Sequence, residues 1–335
     1  MSNNELRWSI AIHGGAGAIS TADTVFLKEA EEGLEKALSK GSQVLSSGGS
    51  ALEAVEAAVS ALEDDPSFNA GQGSVLTLNG RHELEASIMY SDGLTPVASC
   101  GACCLITRIR NPIKLARLIM EKTPHVMLAG PEAEHLADKH GLQSVDSPTF
   151  FTTARRRAEW EREIANRADE TKTVRMTKVS EGGGSPLLAA QHQGLQDSET
   201  VGAVAIDSAG RLAAATSTGG RTCKLDGRIG DSPIIGSGTY ASSEVAVSGT
   251  GWGEQFMKHV AAYDVAARMK YKSAAGAVTL QQAVHEVVNG VLGPGDGGII
   301  AVDREYNISS QFNTEGMFRG EADHLEKFQV SIFKR

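Results

Sequence analysis

Aromatic residues are scarce in this chain of 335 residues: Phe, Tyr and Trp together make up 5%. A core with so few rings must be filled by closely packed aliphatic side chains. The 37 glycines add many backbone positions that need freedom or space. Basic residues are the minority, 32 Lys plus Arg against 41 Asp plus Glu, for a net charge of −9. A nucleic-acid binder normally carries a basic face, so that class is disfavoured. No apolar run approaches the ~20 residues that a membrane span requires. Met1–Trp8 lacks the charged start and apolar stretch of a signal peptide. The expectation is a soluble, cytoplasmic protein with neither a nucleic-acid nor a membrane partner. Only four cysteines occur, Cys100, Cys103, Cys104 and Cys223. The Cys100-x-x-Cys103 spacing has no second pair to complete a zinc set. It lies in the apolar segment Val97–Ile106, so these thiols are read as buried small hydrophobes in a reducing compartment.

The rest of the composition, 41% apolar and 22% charged, is ordinary globular usage and argues against disorder. A short strand-like run, Trp8–His13, stops at Gly14-Gly-Ala-Gly17. Helical periodicity follows near 25–47 and 50–64, the second opening on a capping box of Ser50 and Glu53. A turn-rich loop, Asp64–Gly73, leads to strand candidates at 74–78, 83–90 and 97–108. Helices are expected at 112–122, entered through Asn111-Pro112, and at 130–140. Arg155–Asp169 reads as a charged, solvated helix. Lys172–Glu199 is polar and aperiodic, the best linker in the chain.

After this linker the pattern sharpens. Thr200–Ile206 and Arg211–Thr218, joined by Asp207-Ser-Ala-Gly210, read as a β-hairpin. A second hairpin joins Gly298–Val302 to Ile308–Phe312. Helices near 252–271 and 279–292 lie between them, the latter capped by Thr279 with Gln282. The order of strands and helices suits an α+β domain whose sheets are covered by helices. No internal repeat and no clear second core are evident, so 1–335 is read as one domain.

Several catalytic signatures are missing. There is no G-x-S-x-G, no H-E-x-x-H and no P-loop lysine motif. His13 stands beside a Gly-rich turn, where a lone histidine is more often structural. What is present is a threonine at a junction: the polar stretch ends at Glu199 and Thr200 opens an apolar strand. If that bond were cut, Thr200 would supply a hydroxyl nucleophile and its own α-amine, with a pKa near ~8, as general base. Threonine is also common at strand starts, so this pattern alone leaves both readings open.

Other blocks decide. His13–Gly17, Phe68–Ser74, Thr200–Ala205, Thr216–Gly220, Gly227–Pro233 and Gly249–Glu254 follow one another in a known order. On these blocks the chain resembles the plant-type L-asparaginases, or isoaspartyl peptidases, of the N-terminal-nucleophile hydrolases, from Trp8 to about Gly320. The resemblance implies a four-layer αββα sandwich and self-cleavage between Glu199 and Thr200. It also implies an α subunit of residues 1–199 ending in a flexible charged linker over about 155–199, a β subunit of residues 200–335, and a homodimer of cleaved αβ units. The implied substrates are small molecules, L-asparagine and β-aspartyl dipeptides, hydrolysed without an organic cofactor.

Such substrates carry a free α-carboxylate and α-amine, so recognition needs one cation and one anion at fixed separation. Arg228 and Asp231 can supply both: an Arg fork grips a carboxylate and Asp accepts from an ammonium. Taken alone they would read as a surface salt bridge. The Thr250 hydroxyl and the Gly251 backbone N–H suit an oxyanion, and Thr218 is placed to orient Thr200 across the hairpin. The resemblance adds Asn69 and Gly253 to the site. It also implies a sodium ion on the carbonyls of Leu62, Glu63, Asp65, Phe68, Ala70 and Gln72, and potassium activation near Val126–Glu134. This chain departs from the family at Glu199, where a small residue is usual, at Glu85, where Asp is commoner, at Tyr90-Ser-Asp-Gly93, longer than the usual Asp-Gly turn, and at Trp252, which narrows the leaving-group side. Rival readings are a glycosylasparaginase-like hydrolase, a taspase-like protease and an uncut, non-catalytic scaffold.

Overall fold

The structure, a computed structural model, describes residues 6–95, 98–177, 199–272 and 278–334. Its centre is strand β1 (Ser9–Gly17), buried at every position, which explains why its apolar residues run on without alternation. On one side β1 pairs antiparallel with β5 (Val201–Ile206), His13 standing opposite Gly202. On the other it pairs with β11 (Gly316–Asp323). With β6 (Leu212–Thr218), β2 (Leu84–Ser91), β3 (Ser99–Ile106), β4 (Met127–Ala129) and β12 (Phe328–Phe333) these form an eight-stranded sheet, ordered β12-β11-β1-β5-β6-β2-β3-β4. A second, four-stranded sheet runs β10 (Ile308–Phe312), β9 (Gly297–Asp303), β8 (Val245–Gly251), β7 (Thr239–Ala241).

Helices α1 (Thr24–Ser46) and α2 (Ala51–Glu63) cover the large sheet. Their buried faces repeat at helical spacing, through Ala30, Leu34, Ala37, Leu38 and Val55, Ala58, Val59, Leu62. The predicted capping box forms: Ser50 Oγ accepts the Glu53 N–H while Glu53 accepts the Ser50 N–H. Helices α3 (Pro112–Lys122) and α4 (Gly130–Lys139) match the expected spans, each with Pro in its first turn. Beyond α5 (Ala154–Thr177) and α6 (Gly253–His259), helices α7 (Ala261–Lys272) and α8 (Leu280–Glu286) cover the small sheet through Ala262, Val265, Ala283 and Val284.

Where the two sheets meet, Ala11, Val204, Ile206 and Ala214 pack with Ala246, Ile300 and Val302. The alanines let two backbones approach without rings between them, which is how a chain poor in aromatics fills this interior. Among the described residues the buried side chains group into three apolar clusters, one between the large sheet and its helices, one between the small sheet and its helices, and one between the sheets.

Other expectations are corrected. Residues 74–78 form no ladder strand; Leu76 and Leu78 bond irregularly to Cys223 and Lys224, because the turn at Gly73, φ +102°, diverts the chain. The helix expected over 252–271 is broken at Val260, φ 51°, into α6 and α7. The one expected over 279–292 ends in a wide π turn at Val287–Val291. The charged helix is not simply solvated. Arg156 is buried, the Trp160 indole N–H donates to the Thr77 carbonyl at 2.8 Å, and Arg167 donates to the Cys223 carbonyl at 3.2 Å. The linker expectation over 172–199 meets α5 up to Thr177, and residues 178–198 lie outside the described residues.

Candidate active site

Three threonines converge from strands of both sheets. Thr200 stands at the head of β5 and Thr218 at the end of β6, and the β5–β6 register that sets Val201 opposite Ser217 brings them face to face. The Thr200 hydroxyl donates to Thr218 Oγ1 at 3.3 Å, and that oxygen also accepts the Gly220 N–H at 2.9 Å. From β8 of the other sheet, Thr250 Oγ1 accepts the Thr200 N–H at 3.2 Å and the Ala16 N–H at 3.3 Å. Thr200, Thr218 and Thr250 are all buried. Gly251 follows at φ +145°, where a Cβ would collide with the Asp296 carbonyl, so no other residue fits.

Thr200 is also held from below. His13 Nδ1 lies 2.7 Å from the Thr200 carbonyl, which can only accept, so Nδ1 carries the proton and Nε2 accepts from Ser248 Oγ at 2.8 Å. Burial pushes the His13 imidazole down to about 3, against a smaller rise from this hydrogen bond to Thr200, and it stays neutral. Ser248 in turn bonds Thr216. A Cβ on Gly202 would strike both Ser248 Oγ and His13 Nε2. His13 sits in a structural role, and what it supports is the Thr200 backbone.

Asn69 braces the same corner. Its amide donates to the Gly220 carbonyl at 2.7 Å and its side-chain oxygen accepts the Val75 N–H at 2.9 Å. Both polar ends are used inside the protein, so Asn69 fixes the turn behind Thr218.

The expected cation and anion lie together. A Cβ on Gly253 would sit 2.7 Å from Asp231 Oδ1 and 3.0 Å from Arg228 Nη2, which puts all three residues at one place, two positions beyond Gly251. Arg228 is clamped by Glu254, Nε and Nη2 each donating at 3.0 Å to a carboxylate oxygen. Asp231 is buried, its Oδ2 has no hydrogen-bond partner, and desolvation, only partly offset by Arg228, pushes its carboxyl up to about 7. Their loop is anchored by Glu85, which accepts the Gly230 N–H at 2.9 Å and pairs with Lys224 at 3.0 Å, both charges fully buried. Glu83 accepts the Gly227 N–H at 2.7 Å.

Sequence reasoning missed Lys224, Glu254 and Arg156. Glu254 was legible as the last residue of the Gly249–Glu254 block. Neither Lys224 nor Arg156 carries a local signal: Arg156 is the middle one of three successive arginines in a charged helix, and nothing in the sequence beside Lys224 points to Glu85. At the junction, Glu199 Oε2 meets Arg156 Nη2 at 2.7 Å.

The carbonyls implied for sodium lie where α2 ends and its last C=O groups lose helical partners. The chain folds back there: Glu63 O accepts the Gln72 N–H at 2.7 Å, Leu62 O accepts from Asp65 at 3.3 Å, and Asp65 O accepts from Phe68 at 3.3 Å. Gly71, φ +49°, leaves room that a Cβ would take from the Glu63 carbonyl. Phe68 and Ala70 line the same turn, both buried. The Glu63 side chain points elsewhere, accepting from Ser217 at 2.7 Å and from the Ile113 N–H at 2.9 Å. Cys103, Cys104 and Cys223 are buried, as read from the sequence, whereas Cys100 is only half-buried; all four are free thiols. Among the described residues no group of three or more His, Cys, Asp or Glu side chains is arranged to hold a metal.

A family profile described as asparaginase matches residues 6–332. An isoaspartyl peptidase of Escherichia coli (strain K12) is 46% identical over 315 residues, 92% of this chain and 91% of the relative. A putative isoaspartyl peptidase/L-asparaginase of Dictyostelium discoideum is 41% identical, covering 97% of this chain and 98% of the relative. A plant-type L-asparaginase of Pyrococcus furiosus is 40% identical over 92% of this chain and 94% of the relative. With a profile match over nearly its whole length and a threonine cluster at the predicted junction, the chain belongs to this asparaginase family.

Proposed function

We propose that the chain cuts itself between Glu199 and Thr200 and then hydrolyses the side-chain amide of L-asparagine and of β-aspartyl dipeptides. The observation that carries this is the convergence of Thr200, Thr218 and Thr250 on one point, with Arg228 and Asp231 gathered at Gly253 beyond it. In self-cleavage Thr200 Oγ bonds to the Glu199 carbonyl carbon, the C–N bond to Thr200 breaks, and the hydroxyl proton ends on the nitrogen. Water then hydrolyses the ester, leaving a Glu199 carboxylate and a free Thr200 amine and hydroxyl.

In turnover that amine, with a pKa near ~8, takes the Thr200 hydroxyl proton as Oγ attacks the substrate β-carbonyl. Thr218 keeps the hydroxyl oriented. The Thr250 hydroxyl and Gly251 N–H donate to the oxyanion, the leaving ammonia or amino acid takes the proton, and water releases L-aspartate. Arg228 receives the substrate α-carboxylate and Asp231 its ammonium. Trp252, between Gly251 and Gly253, borders the leaving-group side.

The layers support the same reading. Helices on the large sheet, a shared interior between the sheets and helices on the small sheet are consistent with an αββα sandwich of the N-terminal-nucleophile type. The carbonyl turn Leu62–Gln72 fits a monovalent cation: helix-end carbonyls supply partial negative charge, and Gly71 leaves the space. A bound sodium would supply rigidity to the turn behind Asn69 and Thr218, with potassium activation assigned to the 126–134 region. Two cleaved αβ units pairing as a homodimer, in the cytoplasm, completes the reading.

Intact mass after prolonged incubation, beside Thr200→Ala, tests it. The expected result is a fragment of residues 200–335 from the native chain alone, with asparagine and β-aspartyl dipeptide hydrolysis appearing as it forms. A chain that stays whole and inert towards both substrates would instead support the scaffold reading.

A further inference from the structure

We infer that Arg156 is a positioning residue for self-cleavage, holding the Glu199 side chain so that the scissile carbonyl stays against the Thr200 hydroxyl; this rests on the self-processing reading above. The residue before the cut is the one that contributes the carbonyl carbon, so its backbone torsions decide whether attack is possible. Thr200 is already pinned on its own side, its N–H on Thr250 and its carbonyl on His13. What remains is rotation on the Glu199 side.

Two contacts restrict that rotation. Arg156 Nη2 donates to Glu199 Oε2 at 2.7 Å, and the Arg156 side chain is only 4% exposed. Its other donors are spent on fixed groups: Nε on the Gly73 carbonyl at 2.7 Å and Nη1 on Glu159 at 2.8 Å. The guanidinium is therefore anchored to the Asn69–Gly73 loop and to α5, and from there it holds Glu199. On the opposite side Gly15, φ +124°, lies so close that a Cβ there would be 2.7 Å from Glu199 Cβ and 2.9 Å from its Cα. Glu199 is confined between an anchored cation and a bare glycine backbone. A charged side chain at this position thus has a counterpart built for it in the charged helix. The pair borders a cavity of about 580 Å³ lined by Glu159, Arg162, Glu163 and Arg221 among others.

Arg156 and Glu199 acting through one contact makes a definite prediction for a double-mutant cycle. Full-length chain isolated before cleavage is followed by mass for the appearance of fragment 200–335. Arg156→Met and Glu199→Gly should each slow cleavage by on the order of tenfold or more, since small misplacements of reacting atoms carry such losses. The double variant should be no slower than the slower single one. Glu199→Gln, which still accepts from Arg156, should keep most of the rate. Glu199→Gly leaves Arg156 on Glu159 and Gly73, so the fold is not at stake in that arm. Cleavage of Glu199→Gly at the native rate overturns the inference, and so does a double variant slowed by the product of the two single effects. Native chain that never cuts overturns the self-processing reading and this inference with it, whereas native cutting with an unaffected Arg156→Met overturns this inference alone.

Discussion

Thr250 Oγ1 accepts the Thr200 N–H at 3.2 Å, across the interface between two different sheets. The same oxygen accepts the Ala16 N–H at 3.3 Å, so it is held in place whether or not Thr200 moves. A hydroxyl with its acceptor lone pairs occupied in this way presents its proton outward, which suits it to donate to an oxyanion.

Thr250→Val should therefore lower kcat per cleaved subunit by on the order of 10²–10³, the usual loss for one oxyanion donor. KM should change little, because the valine keeps the shape of the side chain. Steady-state asparagine hydrolysis, normalised to the cleaved fraction by mass, checks both numbers.

The pH dependence of binding should follow Asp231. Its carboxyl is pushed up to about 7, first by desolvation, so in the free protein it is about half charged at neutrality and loses the rest of its charge below it. The substrate ammonium needs the charged form. KM for asparagine should rise as pH falls from 8 to 6, and Asp231→Asn should raise KM at every pH and flatten that profile.

The same residue should cost stability at high pH. With a folded pKa of about 7, above the ordinary unfolded value of ~3.9, the native state binds the extra proton between these limits. Stability contributed by the neutral carboxyl is complete below ~4 and is lost as pH rises through about 7. Asp231→Asn should consequently unfold at a higher temperature than native chain at pH 8, with little difference at pH 4.5, measured by calorimetry.

Lys224→Met should be among the most damaging single changes. It leaves the Glu85 carboxylate buried without its partner, a situation that typically costs 3–5 kcal/mol. Because Glu85 also holds the Gly230 N–H, KM should rise before the fold is lost. Urea unfolding and asparagine KM measured together separate the two effects.

Removal of monovalent metal should loosen the Leu62–Gln72 turn. Transfer from sodium to tetramethylammonium buffer should lower the unfolding temperature, by an amount that saturates with added sodium as ligand linkage requires. An unfolding temperature independent of sodium would count against the carbonyl site.

The element pattern was legible because it rests on local rules. Helix caps at Ser50 and Thr279, proline at the start of α3, and the strand pairs 200–206 with 211–218 and 298–302 with 308–312 each depend on neighbours in the chain. The Thr200 junction was legible for the same reason, as an abrupt change from polar to apolar sequence. Positions where a non-local contact overrides propensity were not. Residues 74–78 are strand-like in composition yet bond irregularly to 223–224, and Val260 breaks a continuous helical pattern.

Sequence by itself singled out the candidates: Thr200, Thr218, Thr250, Arg228 and Asp231 were all named from blocks and substrate logic, and the fold brings the threonines together and sets Arg228 beside Asp231. Tertiary structure alone decided how they are held. His13 bonds a carbonyl 187 positions away and Ser248 235 positions away, Lys224 meets Glu85 across 139, and Arg156 meets Glu199 across 43. Burial then sets the charge of Asp231 and the neutrality of His13. Such effects depend on which groups exclude water around an atom, and that is a property of packing between distant segments, which no local pattern records.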